Sequence, residues 1–197
     1  MFTSELTRFN KGAVGAGQAF YSNSVNATAL TTVTPAADIL HASPWFVPEP
    51  IVVDKFEYEV STAGASSLGL LGLYYNVEGK LYPGTLAATS AQIDQNTGLE
   101  GLKATTLTGN AILNLDAGMY WWVYQQDATA AALRAVALGA MSVTLGFTEA
   151  APPVARVGIN HALTFTPTTG VLPATFPTAT PSYVVVAQPI VLVRVIR

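Results

Sequence analysis

The chain of 197 residues contains no cysteine. That excludes a disulfide scaffold, a thiolate metal site and a cysteine nucleophile. Charge is the next shortage. Asp, Glu, Lys and Arg together make up 11% of the chain, against roughly 25% in an ordinary soluble domain. Lys plus Arg is 9 and Asp plus Glu is 12, giving a net charge of -3. No basic cluster interrupts this balance, so a nucleic-acid footprint is not expected. The two histidines, His41 and His161, are too few for a three-histidine metal centre, and no cofactor is expected. Long apolar runs are also lacking. Residues 61–77 are uncharged but broken by Gly64, Gly69, Gly72 and Asn76; residues 135–148 and 183–193 are short. A membrane helix needs about 20 mostly apolar residues, so no span is expected. The opening residues show no basic stretch leading into an apolar core, and no secretory signal is expected.

Catalytic signatures are equally sparse. There is no His-Glu-x-x-His, no Gly-x-Ser-x-Gly and no phosphate loop. The glycines Gly12, Gly15 and Gly17 follow no strand, so they lack the setting of a dinucleotide site. Asn26-Ala27-Thr28 is a formal glycosylation sequon, of little meaning without a secretory signal. Glu57 and Glu59 lie on one strand face, about 7 Å apart by strand rise. Such a pair can perform glycoside chemistry; the competing reading is a charged solvent face opposite Phe56 and Tyr58. Asp116 and Asp127 occupy turn positions, where aspartate serves the backbone. An enzyme is not expected.

What is present is apolar and strand-forming. Half of the residues are hydrophobic, which argues against disorder. Phe56, Tyr58 and Val60 alternate with Lys55, Glu57 and Glu59, the period of a half-buried strand. Leu68–Tyr75 is a continuous apolar run, read as a strand buried on both faces. Turns are expected at Glu78-Gly79 and at Leu81-Tyr82-Pro83-Gly84. The residues around Asp116-Ala117-Gly118 read as a hairpin. In its second strand Tyr120, Trp122 and Tyr124 face one way and Trp121 and Val123 the other. Residues 128–138 read as a strand after a small turn. Pro152, Pro153, Pro167, Pro173, Pro177 and Pro181 mark a long loop crossing a surface. A strand-like run, broken by Pro189, ends the chain.

Short strands with intervening turns and no strand-helix alternation predict an all-β fold. The expected architecture is an antiparallel β-sandwich, jelly-roll-like, of eight strands, with an extended N-terminal arm. The arm comprises residues 1–22 and the sandwich residues 23–197.

The main chemical resource is aromatic: three Trp and eight Tyr. Such rings stack on sugars, anchor interfaces or fill cores. Trp45 in the apparent loop Ser43-Pro44-Trp45-Phe46, together with Trp122 and Tyr82, are the glycan-binding candidates. The charge deficit points to a surface covered by neighbours, since subunit interfaces are poor in charge at their centre. Residues 157–193 contain no Asp, Glu, Lys or Arg. From that stretch Phe165, Val171, Leu172, Phe176, Val185 and Ile190 are the oligomer-interface candidates.

The ordered series Asn26-Ala27-Thr28-Ala29-Leu30, Trp45-Phe46-Val47-Pro48, Leu71-Gly72-Leu73-Tyr74, Leu81-Tyr82-Pro83-Gly84 and Leu115–Trp121 resembles tailed-phage virion proteins. The likeness covers about residues 23–196 and is to jelly-roll domains of tail, fibre, spike or capsid-decorating proteins. It implies a trimer or other homo-oligomer, assembled in the bacterial cytoplasm and attached to other virion proteins. It also implies contact with host surface glycans. It supplies no catalytic residue. A free carbohydrate-binding module is the alternative reading, and a small polysaccharide hydrolase or lyase the third.

Overall fold

A computed structural model describes residues 12–13, 18–22, 30–96, 98–108, 112–127, 131–137, 145, 156–164, 171–179, 182–184 and 187–196. In chain order the strands are β1 (Gly12–Ala13), β2 (Gln18–Ser22), β3 (Leu30–Val33), β4 (Ile39–Val47), β5 (Ile51–Thr62), β6 (Leu68–Asn76), β7 (Pro83–Thr89) and β8 (Ile93–Asp94). They continue as β9 (Gly101–Thr106), β10 (Leu113–Leu115), β11 (Gly118–Gln126), β12 (Ala132–Val136), β13 (Gly158–Ala162), β14 (Ser182–Val184), β15 (Gln188–Pro189) and β16 (Leu192–Ile196).

These strands form an antiparallel β-sandwich. The first sheet runs β1-β2-β16-β5-β12-β15, with β9 and β10 also on β5 and β3 on β12. The second runs β14-β13-β4-β11-β6-β7, with β8 on β6. The sandwich expected from eight strands is thus built from more, and shorter, pieces.

Strand alternation places Phe56, Tyr58 and Val60 in the main core, and an irregularity at Asp54, where the ladder to β16 skips one residue, resets the phase so that Val53 joins them. Val53, Phe56, Tyr58 and Val60 of β5 meet Trp45 of β4, Leu71 and Leu73 of β6 and Tyr120, Trp122 and Tyr124 of β11 between the sheets. On the other face of β5 Glu57 is buried, and Asp54 and Glu59 are held by two arginines of neighbouring strands. Arg134 of β12 makes paired hydrogen bonds to Glu59, at 2.8 and 3.2 Å, and Arg194 of β16 does the same to Asp54. Both pairs are only partly buried and open to solvent screening, so each contributes modestly to stability; their bidentate geometry favours one register.

Three local expectations are corrected. The proline-rich segment around Trp45 is a nine-residue strand, β4, not a loop. Its pairing with β13 covers only Ile39–Ala42. Pro44 therefore lies beyond that ladder, where a missing N–H costs no bond on that side. Pro83 and Gly84 belong to β7, and the turn precedes them. The expected hairpin at Asp116 is a corner: β10 pairs with β5 in the first sheet, whereas β11 pairs with β4 and β6 in the second. Within the expected arm, Gln18–Ser22 pairs as a strand with β16.

Candidate functional site

The second sheet has a second apolar face, turned away from the first sheet. Leu40 and Ala42 of β4, Trp121 and Val123 of β11, Leu70 and Tyr74 of β6 and Ile159 of β13 form it. Left bare it would expose a large greasy surface. The segment 171–179 lies across it as a strap and buries Leu172 and Phe176 against it.

The strap is held by its backbone. Leu86 N–H donates to Ala174 O and Phe176 N–H to Gly84 O, each at 2.9 Å, around an antiparallel bridge between Thr85 and Thr175. Tyr74 Oη donates to Pro173 O at 2.7 Å and Tyr82 Oη to Pro177 O at 2.6 Å. Gly72 makes room below: a Cβ there would sit 2.4 Å from Leu172 Cδ1. The Phe176 ring meets Tyr74 and Tyr82 edge-on, both at 5.8 Å, and His161 at 6.2 Å.

Asn76 arranges the turn that presents Tyr82. Its Oδ1 accepts from Trp121 Nε1 at 2.9 Å and from Tyr82 N–H at 3.2 Å. Its Nδ2 donates to Val77 O and Lys80 O. Beyond the strap, at the edge of the sheet, Tyr183 is 49% exposed. The Arg156 guanidinium sits 4.6 Å from the centre of its ring, a cation–π contact. Burial raises the Tyr82 phenol above its usual range, and the neighbouring Tyr183 raises it further. The two tyrosines therefore belong to one electrostatic neighbourhood. Burial alone raises Tyr74. The Tyr82 and Tyr74 phenols are therefore neutral donors at physiological pH. Ring faces, phenol hydroxyls, strap carbonyls and one guanidinium suit reversible binding better than proton transfer.

Of the glycan-binding candidates, only Tyr82 lies here, half-buried and with its hydroxyl committed to the strap. Trp45 and Trp122 are corrected: they are 1% and 2% exposed, in the core between the sheets. Inward alternation on β4 and β11 puts them there, with ring centroids 5.1 Å apart. Among the interface candidates, Leu172 and Phe176 are covered by their own chain, so they present no free surface while the strap is seated. Val171 is 63% exposed and Ile190 half-buried. Phe165 and Val185 lie outside the described residues.

The remaining polar candidates serve the scaffold. Glu59 is engaged by Arg134. Burial raises the Glu57 carboxyl, opposed by Lys55 and Arg194. His41 Nε2 lies 3.2 Å from Ala36 O, and burial lowers its pKa against the opposing effect of Asn160. Among the described residues no three His, Asp or Glu side chains gather to hold a metal, and no helix is long and apolar enough to cross a membrane.

The sequence reading missed Tyr183, Arg156 and Asn76. A signal for the first two was available: Arg156 is the last charge before the uncharged stretch, and Tyr183 follows the final turn proline of the loop.

No protein-family signature and no curated protein matches the chain. Two solved structures are similar in outline. One contains the cysteine protease and lectin-like domains of a surface layer associated protein of Clostridium difficile, with a TM-score of 0.49 and 8% identity. That likeness covers 93% of this chain, which spans 37% of the other. The second is a chitosan-binding module of a Paenibacillus chitosanase/glucanase, with a TM-score of 0.34 and 15% identity over 59% of this chain and 90% of that one. The β-sandwich assignment rests on the strand pairing described above.

Proposed function

We propose that the chain is a non-catalytic carbohydrate-binding β-sandwich, whose contact surface is formed by Tyr183, Arg156 and Tyr82 beside the strap. The observation that carries this reading is the exposed Tyr183 ring with a guanidinium stacked on it. An aromatic ring offers a flat face to the C–H side of a pyranose, and a guanidinium offers hydrogen bonds to hydroxyls or acidic substituents. The sugar reading thus moves from the tryptophans to the tyrosines. A glycan array identifies a binder, and titration calorimetry measures it. Tyr183→Ala is expected to weaken binding about tenfold, or about 1.4 kcal/mol, with an unchanged unfolding midpoint because the side chain is exposed. Wild-type affinity in the alanine variant, or no binder on a broad array, refutes the reading.

A second reading, supported by the resemblance to tailed-phage virion proteins, is a multimeric virion component. The charge deficit favours it, as do the exposed apolar side chains Leu30, Leu81, Leu102, Ile112 and Val171. Both roles suit one protein, since a particle surface is where a host glycan is met. Light scattering at high concentration is expected to give a multiple of 20.6 kDa. A lone 20.6 kDa species that stays soluble for days rules the multimer out.

A further inference from the structure

The strap is recognised as a peptide. It adds an extended segment to the β7 edge through two main-chain hydrogen bonds. It also carries apolar anchors at Leu172 and Phe176, and two tyrosine hydroxyls bind carbonyls of its prolines. Edge addition supplies affinity in peptide recognition, while side-chain pockets and aromatic grooves that read proline-rich segments supply specificity. The socket is made by Gly72, Tyr74, Tyr82 and the β7 residues Gly84–Leu86; the segment is Leu172–Pro177. Tyr74 and its acceptor Pro173 are 99 positions apart in the chain. The same contacts are available between chains, as in domain swapping, with the tether favouring the chain's own segment when dilute and a second copy competing as concentration rises.

We propose that the strap is exchangeable: the β7 edge and the Gly72, Tyr74 and Tyr82 socket take Leu172–Pro177 of a second copy, linking two chains. This rests on the multimer reading and names its contact. It also gives Leu172 and Phe176, covered within one chain, a place between chains.

The absence of cysteine makes the test clean. Thr85 and Thr175 are both exposed and directly opposed. The hydrogen bonds to either side make them a non-hydrogen-bonded antiparallel pair, with Cα atoms about 4.5 Å apart in ideal geometry, within disulfide range. The double variant Thr85→Cys/Thr175→Cys, oxidised with diamide when dilute, is expected to form an intrachain disulfide. Separate Thr85→Cys and Thr175→Cys chains, mixed at high concentration and oxidised, are expected to form a disulfide-linked heterodimer. Its yield is expected to be at least fivefold above that of a Glu100→Cys and Thr175→Cys mixture, in which the first cysteine sits at an exposed position just before β9, in the other sheet. A heterodimer yield equal to that control overturns exchange, and failure of the dilute double variant to cross-link overturns the strap pairing itself. Multimers by light scattering without the Thr85–Thr175 cross-link leave the multimer reading standing and remove only the exchange.

Discussion

Trp122→Ala is expected to destabilise the fold by about 3–5 kcal/mol, the range for truncating a large buried aromatic side chain. Trp122 is the centre of a ring stack that joins the sheets. It lies 5.1 Å from Trp45 on β4 and 4.7 Å, edge-on, from Phe56 on β5 of the opposing sheet. The cavity left by alanine opens on two sheets whose strands are fixed by their ladders, so collapse around it is limited. At roughly 2–4 °C per kcal/mol for a chain of this size, the unfolding midpoint falls by about 6–20 °C. The indole N–H of Trp122 has no acceptor among the described residues. Trp122→Phe therefore removes volume but also a donor buried without compensation, and less than half of the alanine cost is expected. Chemical denaturation of the three proteins measures both. An alanine cost below about 1 kcal/mol, far under the large-to-small range, contradicts a packed stack.

Gln95→Leu is expected to cost about 3 kcal/mol for the opposite reason, although leucine is similar in size and more apolar. Gln95 is fully buried and serves as the junction of a polar cluster between the sheets. Its Nε2 donates to Tyr58 Oη at 2.7 Å and to Tyr124 Oη at 2.8 Å. Its Oε1 accepts from Ser67 Oγ at 3.0 Å. Tyr124 in turn donates to Gln126 Oε1 at 2.9 Å, and Gln126 donates to Pro35 O. Burial holds both phenols far above their ordinary range, so the cluster is neutral at every physiological pH. Leucine strands the Tyr58 phenol and the Ser67 hydroxyl, each costing about 1–3 kcal/mol when left unpaired, while Tyr124 keeps its bond to Gln126. A double-mutant cycle with Tyr58→Phe is the decisive measurement. Removing the stranded hydroxyl is expected to recover about 1 kcal/mol of the loss. Strict additivity of the two changes contradicts the junction role.

The parts of the fold legible in the sequence are those set by short-range alternation. Phe56, Tyr58 and Val60 face the core because their neighbours are charged. Tyr120, Trp122 and Tyr124 share a face because strand side chains have a period of two. Leu68–Tyr75 reads as buried on both faces, and Gly69–Tyr74 is, with the first sheet on one side and the strap on the other, whereas Tyr75 is 43% exposed. What stayed hidden depends on distant partners. Pro44 reads locally as a loop residue, and only the early end of the β13 ladder allows it inside a strand. The turn at Asp116–Gly118 announces a reversal, yet nothing local says that the next strand joins the other sheet. Trp45 and Trp122 carry the same side chain whether they stack on a sugar or on each other. Tyr183 and Arg156 become a pair only after β13 and β14 align.

All three indoles, Trp45, Trp121 and Trp122, are sealed in the interior. Intrinsic emission will therefore be blue-shifted in the native state and move sharply to the red on denaturation, a built-in gauge of foldedness requiring no label. The same placement makes that signal blind to cargo at Tyr183, so a silent titration says nothing about occupancy there. A dye attached to an engineered thiol can watch the tyrosine surface instead, on a background free of native thiols.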